Sequence, residues 1–180
     1  DGYAYDPEHP SQHIIDMSEN EIEVPEDYTR EELRQDLLCY TSPVLKENLV
    51  LTGDMTAELY ISSDAPDTDF VVRVTDVDEN GRSIKLADGL LSARYRNGFA
   101  QSEFLQEGEI VCLKIRTTKL SNCFRKGHRI RVTVTSSAKN FIFPNSNTRE
   151  GFASARTVVA HNRVYHGGLH ASRLTVRVEP

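Results

Sequence analysis

The chain has 180 residues and a formal net charge of −6, a length that suits one domain with a sizeable core. Domains that bind nucleic acid are usually basic, with Lys and Arg clustered on one face, so this acidic balance argues against a nucleic-acid partner. No apolar run approaches the length of a membrane span, and no charged and apolar leader opens the chain, so we expect no membrane partner. Because the first residue is Asp and not an initiator Met, we interpret the chain as a fragment of a longer protein.

Residues 1–35 differ in kind from the rest, because they are polar and acidic and show no strand alternation. One or two helical turns are expected near Glu31 and Glu32. Long lead-in segments without regular structure are usually functional. We therefore predict an N-terminal arm, residues 1–35, that docks on a partner surface, and a frayed linker is the alternative. The arm also offers a route to a homo-oligomer, in which it lies on a neighbouring copy.

From residue 36 onward the sequence predicts a single domain, 36–180, made of short strands separated by turns. The clearest alternation places Met55, Ala57, Leu59 and Ile61 on one face of a strand. Many short strands at such intervals indicate an all-β sandwich. The predicted strands cover residues 37–41, 49–62, 70–74, 84–86, 90–96, 109–117, 129–137, 157–166 and 173–178.

Three cysteines, Cys39, Cys112 and Cys123, give an odd number, and two of them lie inside strand-like runs. This pattern favours small core residues in a reducing compartment over a disulfide framework. We therefore expect a cytoplasmic location.

The most highly charged part of the chain runs from Ser62 to Arg96. Asn80-Gly81 between two strand-like runs predicts a hairpin there, and Asp88-Gly89 predicts a second turn. Strands are normally poor in Asp, and buried charges persist only when they are paired. We therefore predict a structural polar network and not a catalytic one. Its members are Asp69, Asp76, Asp88, Arg94, Arg96, His128 and Arg131.

Two contacts are expected within this network. Asp76 and Arg94 should interact, because strand carboxylates and guanidinium groups must pair if they are buried. His128 follows a glycine at the start of an alternating strand, and we expect its ring to bridge a turn carbonyl and a carboxylate such as Asp76 or Asp88.

Catalytic and metal motifs are weak in this sequence. A serine hydrolase needs a nucleophile elbow, G-x-S-x-G, and the nearest match, Gly81–Lys85, lacks the second glycine. His166–His170 has metal-like spacing, but its Gly-Gly pair does not hold a helix, so a polar loop is favoured over a zinc site with His161. The acidic turns 64–69 and 76–78 offer oxygen ligands for Ca²⁺, although their spacing matches no calcium loop. We predict no catalytic residue, no metal and no cofactor within the chain.

Residues 65–96, APDTDFVVRVTDVDENGRSIKLADGLLSARYR, resemble the C-terminal, non-catalytic β-domain of the X-Pro dipeptidyl-peptidase and cocaine-esterase-like serine hydrolases. The resemblance implies a jelly-roll β-sandwich of the galactose-binding-like type. It also implies that this sandwich follows an α/β-hydrolase domain carrying a Ser-His-Asp triad, which is absent from this sequence. Further segments similar to the family are Tyr5-Asp6-Pro7, Asp36–Tyr40, Cys123–Arg131 and Ser136-Ser137.

By this resemblance the chain is an accessory domain that packs on the α/β-hydrolase domain of the same polypeptide, stabilises it and helps to wall its substrate cleft. Ile14, Ile15 and Met17 match the position where family members approach the active site, although a Gly-rich stretch is replaced here. The alternative function is a free-standing carbohydrate-binding jelly roll. Its candidate aromatic contacts, several of which we expect in the core, are Tyr60, Tyr95, Phe99, Phe104, Phe141 and Phe143.

Overall fold

The computed structural model describes residues 1–15 and 25–178. Within these ranges the regular structure consists of twelve strands and three single-turn 3₁₀ helices, at Glu31–Leu33, Ala93–Tyr95 and Gly151–Ala153. None of these helical turns has the length and apolar character needed to cross a membrane. The strands are β1 Gly2–Tyr5, β2 Leu37–Thr41, β3 Leu49–Gly53, β4 Thr56–Ser63, β5 Asp69–Val77, β6 Ser83–Ser92, β7 Val111–Arg116, β8 Leu120–Phe124, β9 Arg129–Thr135, β10 Ala160–Gly167, β11 His170–Ala171 and β12 Arg173–Thr175.

The strands form two larger sheets and one ribbon, and every pairing between them is antiparallel. In the first sheet β7 pairs with one edge of β4, while β10 and β12 share the other edge, and β1 and β11 pair with β10. The second sheet has the order β2-β9-β5-β6, and β3 pairs with β8 as a separate ribbon. The predicted all-β sandwich is confirmed.

The main core lies between the two sheets. Ala57, Leu59 and Ile61 of β4 point inward, as predicted, and are between 0% and 5% exposed. Phe70 and Val72 of β5 come from the other sheet and are fully buried. Period-two alternation thus gives each sheet one apolar face, and burying these faces against each other supplies the main driving force for folding. A smaller second core under the β3–β8 ribbon contains Leu51, Met55, Val74, Ala87 and Phe124.

Several strand predictions need correction. The run expected over 49–62 is divided into β3 and β4, because Gly53 adopts a left-handed φ of 106°. Strands β1, β8 and β11 were not expected, and Ala93–Tyr95, predicted as strand, forms a 3₁₀ turn. The turn predicted at Asp88-Gly89 is wrong, since both residues lie inside the continuous strand β6.

Gly89 serves close packing and not a turn. A Cβ atom at this position would lie 2.4 Å from the carbonyl oxygen of Arg116 and 2.9 Å from its carbonyl carbon. Only glycine therefore lets β6 approach the end of β7 so closely.

The cysteines are not core residues, contrary to expectation. Cys39 and Cys123 are exposed and Cys112 is half-buried. Cys39 and Cys123 occupy outward positions of β2 and β8, where alternation turns every second side chain away from the core.

The described part of the N-terminal arm packs on the sandwich itself. Strand β1 lies at the edge of the first sheet and pairs with residues 160–163 of β10, and Tyr5 is fully buried. The expectation that residues 1–35 lack strand structure is therefore wrong for Gly2–Tyr5. Farther along, the ring of Tyr28 lies 4.7 Å below the guanidinium of Arg73, which is buried on the outer face of β5. The boundary at residue 35 stays a prediction.

Candidate functional site

Histidine contacts in the described residues do not assemble a hydrolase triad. The side-chain partners of the His rings are carboxylates, Lys85 and Tyr40, and no Ser hydroxyl in residues 1–15 or 25–178 hydrogen-bonds to a His ring. In the same ranges, no group of three or more His, Cys, Asp or Glu side chains could hold a metal ion. The candidate functional features of the described residues are therefore their polar clusters and exposed aromatic rings.

Arg94 lies at the centre of one polar cluster, just after β6. Its backbone N–H and its Nε donate to the two carboxylate oxygens of Asp67, at 3.0 and 2.7 Å. Its Nη1 and Nη2 donate to the backbone carbonyls of Arg149 and Thr148, each at 3.0 Å. The Asp67 side chain is fully buried and that of Arg94 is 13% exposed. Arg94 thus connects the segment before β5 to the loop between β9 and β10.

The expected pair between Asp76 and Arg94 is absent. Asp76 lies near the opposite end of β5, where its Oδ1 is 2.9 Å from Nδ1 of His128. Asp76 is thus one of the two carboxylates we expected beside His128. The partner of Arg94 is Asp67, which the sequence places only two residues before β5.

Asn145 joins two buried carboxylates through its side-chain amide. Its Nδ2 donates to Asp67 at 2.7 Å and to Asp69 at 2.9 Å. Asp69 is 6% exposed and makes no ion pair with any described Arg, Lys or His. Burial raises the pKa of Asp69, and the hydrogen bonds from Ser92 and Asn145 offset only part of that effect.

Side-chain hydrogen bonds of two asparagines hold the loop that carries Asn145. The Oδ1 of Asn145 accepts the backbone N–H of Asn147 at 3.0 Å, so the Asx turn belongs to Asn145. Asn147 adopts a φ of 62° and donates its Nδ2 to the carbonyl of Val158 at 2.6 Å. Both side-chain amide groups donate hydrogen bonds to the loop or its neighbours, whereas the buried Oδ1 of Asn147 has no hydrogen-bond partner among the described residues.

Exposed aromatic rings surround this cluster. Phe143 and Phe152 stack with their centroids 5.9 Å apart and are 78% and 76% exposed. Phe99 is 79% exposed and packs on Tyr95, with ring centroids 5.5 Å apart. The expectation that several of the six aromatic candidates are core residues is wrong, since none of the six is buried. A pocket of about 140 Å³, here called the aromatic–acidic pocket, is lined by Asp67, Asp69, Arg94, Asn145, Phe143 and Phe152, among others.

A second polar cluster ties the N-terminal arm to β6. Lys85 Nζ lies 2.8 Å from the Glu26 carboxylate, 3.0 Å from Asp88 and 2.7 Å from His13 Nε2. The four side chains are only 5% to 14% exposed. Burial alone would raise the pKa of Asp88. The contacts of Asp88 with His13 and with the Lys85 ammonium outweigh this effect and lower the pKa to about 2.

A third contact anchors the 3₁₀ turn of the arm. The buried carboxylate of Glu32 accepts from Ser83 Oγ at 2.8 Å, from Thr75 Oγ1 at 3.4 Å and from Arg131 Nη1 at 2.5 Å. Arg131 therefore binds a carboxylate of the arm. Arg96 stays local, donating to the carbonyls of Ala93 and Glu103.

The predicted interface residues have different environments. Ile15 is 8% exposed, so its side chain is already covered by this chain. Ile14 is half-buried, and its backbone N–H donates to the hydroxyl of Tyr28 at 3.1 Å. Met17 lies outside the described residues.

Several site residues were missed by sequence reasoning. Phe152 was overlooked because a single Phe beside Gly151 has no periodic neighbours. Glu26, Glu32 and Lys85 were assigned to no site, because the pairing of Glu26 with Lys85 spans a sequence distance that only the fold closes. The one available signal was the density of Asn, Ser and Thr around Asn145.

Comparison with known families assigns the chain to one of them. The family model of the X-Pro dipeptidyl-peptidase C-terminal non-catalytic domain matches residues 2–175. The chain belongs to this family, in agreement with the resemblance found in the sequence.

Individual relatives are longer hydrolases. Cocaine esterase of Rhodococcus sp. (strain MB1 Bresler) is 35% identical over 185 residues, which cover 99% of this chain and 32% of that protein. A protein of Mycobacterium bovis named as a serine esterase is 33% identical over 161 residues, covering 79% of this chain and 24% of that protein. The chain thus spans a quarter to a third of the length of these relatives.

Solved structures show the same fold. An aminopeptidase from the marine sediment archaeon Thaumarchaeota archaeon superposes with a TM-score of 0.92 at 24% identity, covering the whole of this chain and 33% of that one. An α-amino acid ester hydrolase gives a TM-score of 0.92 at 23% identity, covering 99% of this chain and 32% of that one. The family match fits an accessory domain of hydrolases and not a free-standing carbohydrate-binding module.

Proposed function

We propose that the chain is the accessory domain of a serine hydrolase that cleaves esters or X-Pro amide bonds. It packs on the α/β-hydrolase domain of the same polypeptide, stabilises that domain and helps to wall its substrate cleft. One observation carries the proposal: the non-catalytic family model matches residues 2–175, while the chain covers only 32% of an esterase that is 35% identical to it. The remaining two thirds of such a protein have room for a catalytic domain.

The finer parts of the proposal follow from the same reasoning. Ile14 and Met17 are kept as cleft or interface residues, and Ile15 is left out because this chain already buries it. A cytoplasmic location and a homo-oligomer formed through the arm are further elements. β1 and Glu32 bind the sandwich of their own chain. An oligomer formed through the arm would therefore leave these two contacts within each chain.

Ester turnover tests the proposal. The full-length polypeptide should hydrolyse a p-nitrophenyl ester with saturation, and a serine-directed phosphonate should abolish the reaction. The 180-residue chain alone should show no turnover, because its sequence contains no G-x-S-x-G nucleophile elbow. Saturable, phosphonate-sensitive turnover by the chain alone, or an inactive full-length polypeptide whose 180-residue part binds glycans on an array, would contradict it.

A further inference from the structure

The aromatic–acidic pocket combines two features, exposed aromatic rings and a buried carboxylate without an ion pair. The first is apolar exposure: the lining rings of Phe143 and Phe152 are each more than three-quarters exposed, and the equally exposed Phe99 packs on the lining residue Tyr95. Large aromatic side chains grouped on a surface usually mark an interaction site, and aromatic residues are enriched in protein interfaces. Buried hydrogen bonds of Asn145 and Asn147 hold the loop that presents Phe143, so the backbone that carries this ring is fixed in position.

The second feature is uncompensated negative charge. Asp67, Asp69 and Glu150 line the pocket together with one cation, Arg94. Arg94 pairs with Asp67, and a hydrogen bond from Thr148 and the charges of Arg156 and Arg149 lower the pKa of Glu150. Asp69 is therefore the lining carboxylate that has no cation of its own among the described residues. Arg94 donates to Asp67 and to two backbone carbonyls, and its charge offsets only part of the rise in the pKa of Asp69. Asp69 receives only neutral donors, and a buried carboxylate without a cation is costly.

A cation matches both features. Arg and Lys are attracted to aromatic faces, and the guanidinium fork of Arg also fits carboxylates. The pocket volume of about 140 Å³ is large enough for the end of one such side chain. A neutral sugar would leave Asp69 without an ion-pair partner.

We propose that the aromatic–acidic pocket receives one basic side chain, Arg or Lys, from the α/β-hydrolase domain of the parent polypeptide. Phe143 and Phe152 then flank its aliphatic part, and Asp69 supplies the counter-charge. This inference rests on the proposed function. The occupant is assigned to the hydrolase domain because this domain covers only 32% of its esterase relative, and because the charge of the pocket is complementary to a cation.

Hydrogen–deuterium exchange gives the first test. Amides of residues 97–99 and 143–152 should exchange more slowly in the full-length polypeptide than in the 180-residue chain. Amides of residues 167–170, beside the 90% exposed Leu169, serve as the reference. If another surface is protected and the pocket is not, the pocket assignment fails while the proposed function stands. If no surface is protected, both fail.

Three variants locate the contact within the pocket. In the full-length polypeptide, Phe143→Ala, Phe152→Ala and Asp69→Asn should each speed exchange of the pocket amides, and Asp69→Asn should do so by about 10- to 100-fold, because a hydrogen bond to a charged group is lost. Leu169→Ala is the matched exposed control and should change nothing there. Unaltered exchange in all three pocket variants would overturn the proposal.

The same variants in the 180-residue chain separate docking from folding. Phe143→Ala and Phe152→Ala should leave its thermal midpoint unchanged, since both rings are mostly exposed. Burial holds the pKa of Asp69 above its unfolded value, so ionisation of Asp69 costs stability as pH rises through that interval. Asp69→Asn should therefore keep or raise the midpoint at pH 7. A lowered midpoint in the isolated chain for all three variants would mean that they act on folding, and the proposal would be withdrawn.

Discussion

Three buried carboxylates of this domain are compensated in three different ways. Asp67 has a bidentate contact with Arg94, Asp88 has the ammonium of Lys85, and Asp69 has only neutral donors. The pKa of Asp88 is lowered and that of Asp69 is raised accordingly. Full compensation suits a structural role, while the incomplete compensation of Asp69 leaves a position for a cation from outside.

The contact between Asp67 and Arg94 can be measured by a double-mutant cycle. Asp67→Ala and Arg94→Ala should each destabilise the domain by about 3–5 kcal/mol, because either change leaves a buried charge without its partner. The double mutant should lose less than the sum in urea unfolding. The matched control combines Asp76→Ala with Arg94→Ala, which should add to within about 0.5 kcal/mol because the two side chains do not meet. Additivity in the first cycle would contradict the structure.

Asp88 predicts an acid-dependent loss of stability. Its folded pKa of about 2 lies below the unfolded value of about 3.9, so its contribution is present above pH 4 and is lost as pH falls through 2. Asp88→Asn should cost on the order of 2 kcal/mol at pH 6 and flatten the stability profile between pH 4 and pH 2. Urea unfolding at intervals of half a pH unit measures this. Parallel profiles for wild type and variant would show that Asp88 is not the group responsible.

At the scale of elements, alternation was a good guide to strands with one buried face. Alternation predicted β4, β9 and the sandwich itself, because every second side chain of such strands is apolar and buried. It failed for β1, whose four residues are too few to establish a period. The turn predicted from Asp88-Gly89 was also wrong. A glycine can serve either a turn or close packing, and only the approach of the Arg116 backbone shows that Gly89 serves packing.

Gly89 therefore provides a test of the way β6 packs against β7. Gly89→Ala should cost about 1–3 kcal/mol, because the new Cβ meets backbone atoms of Arg116 that cannot rotate away. Gly167→Ala is the matched control, since its Cβ would meet nothing within 4 Å, and it should stay within about 0.5 kcal/mol. Equal thermal midpoints for the two variants would mean that β6 and β7 do not approach as described.

The candidate site was less predictable than the fold. The sequence predicted a polar network that contains Asp69 and Arg94, but it assigned Arg94 the wrong partner. Asp67 and Asp76 lie near opposite ends of β5, and only the fold shows which end Arg94 contacts. The loop residues Asn145 and Phe152 come from a distant part of the chain, and only the return of that loop after β9 brings them to the same pocket. Pairings between distant segments carry no local signal.

At the scale of the whole molecule, the described arm and the sandwich form one folded unit. β1 completes the first sheet, and Glu32 and Tyr28 cover the outer face of the second. The loops that carry Phe99, Phe143 and Phe152 expose three aromatic rings, while the most exposed aliphatic side chains, Leu33 and Leu169, lie elsewhere. A rigid domain with one aromatic, acidic end is suited to packing against a larger partner, which agrees with its membership of a non-catalytic domain family.

The central claim is that catalysis resides outside these 180 residues. Labelling the full-length polypeptide with a fluorophosphonate, followed by peptide mapping, tests it most directly, because the reagent marks an activated serine covalently. The account predicts one labelled serine in the part of the polypeptide that precedes this domain, and no label on any serine of this chain. A labelled serine within residues 1–180 would contradict it.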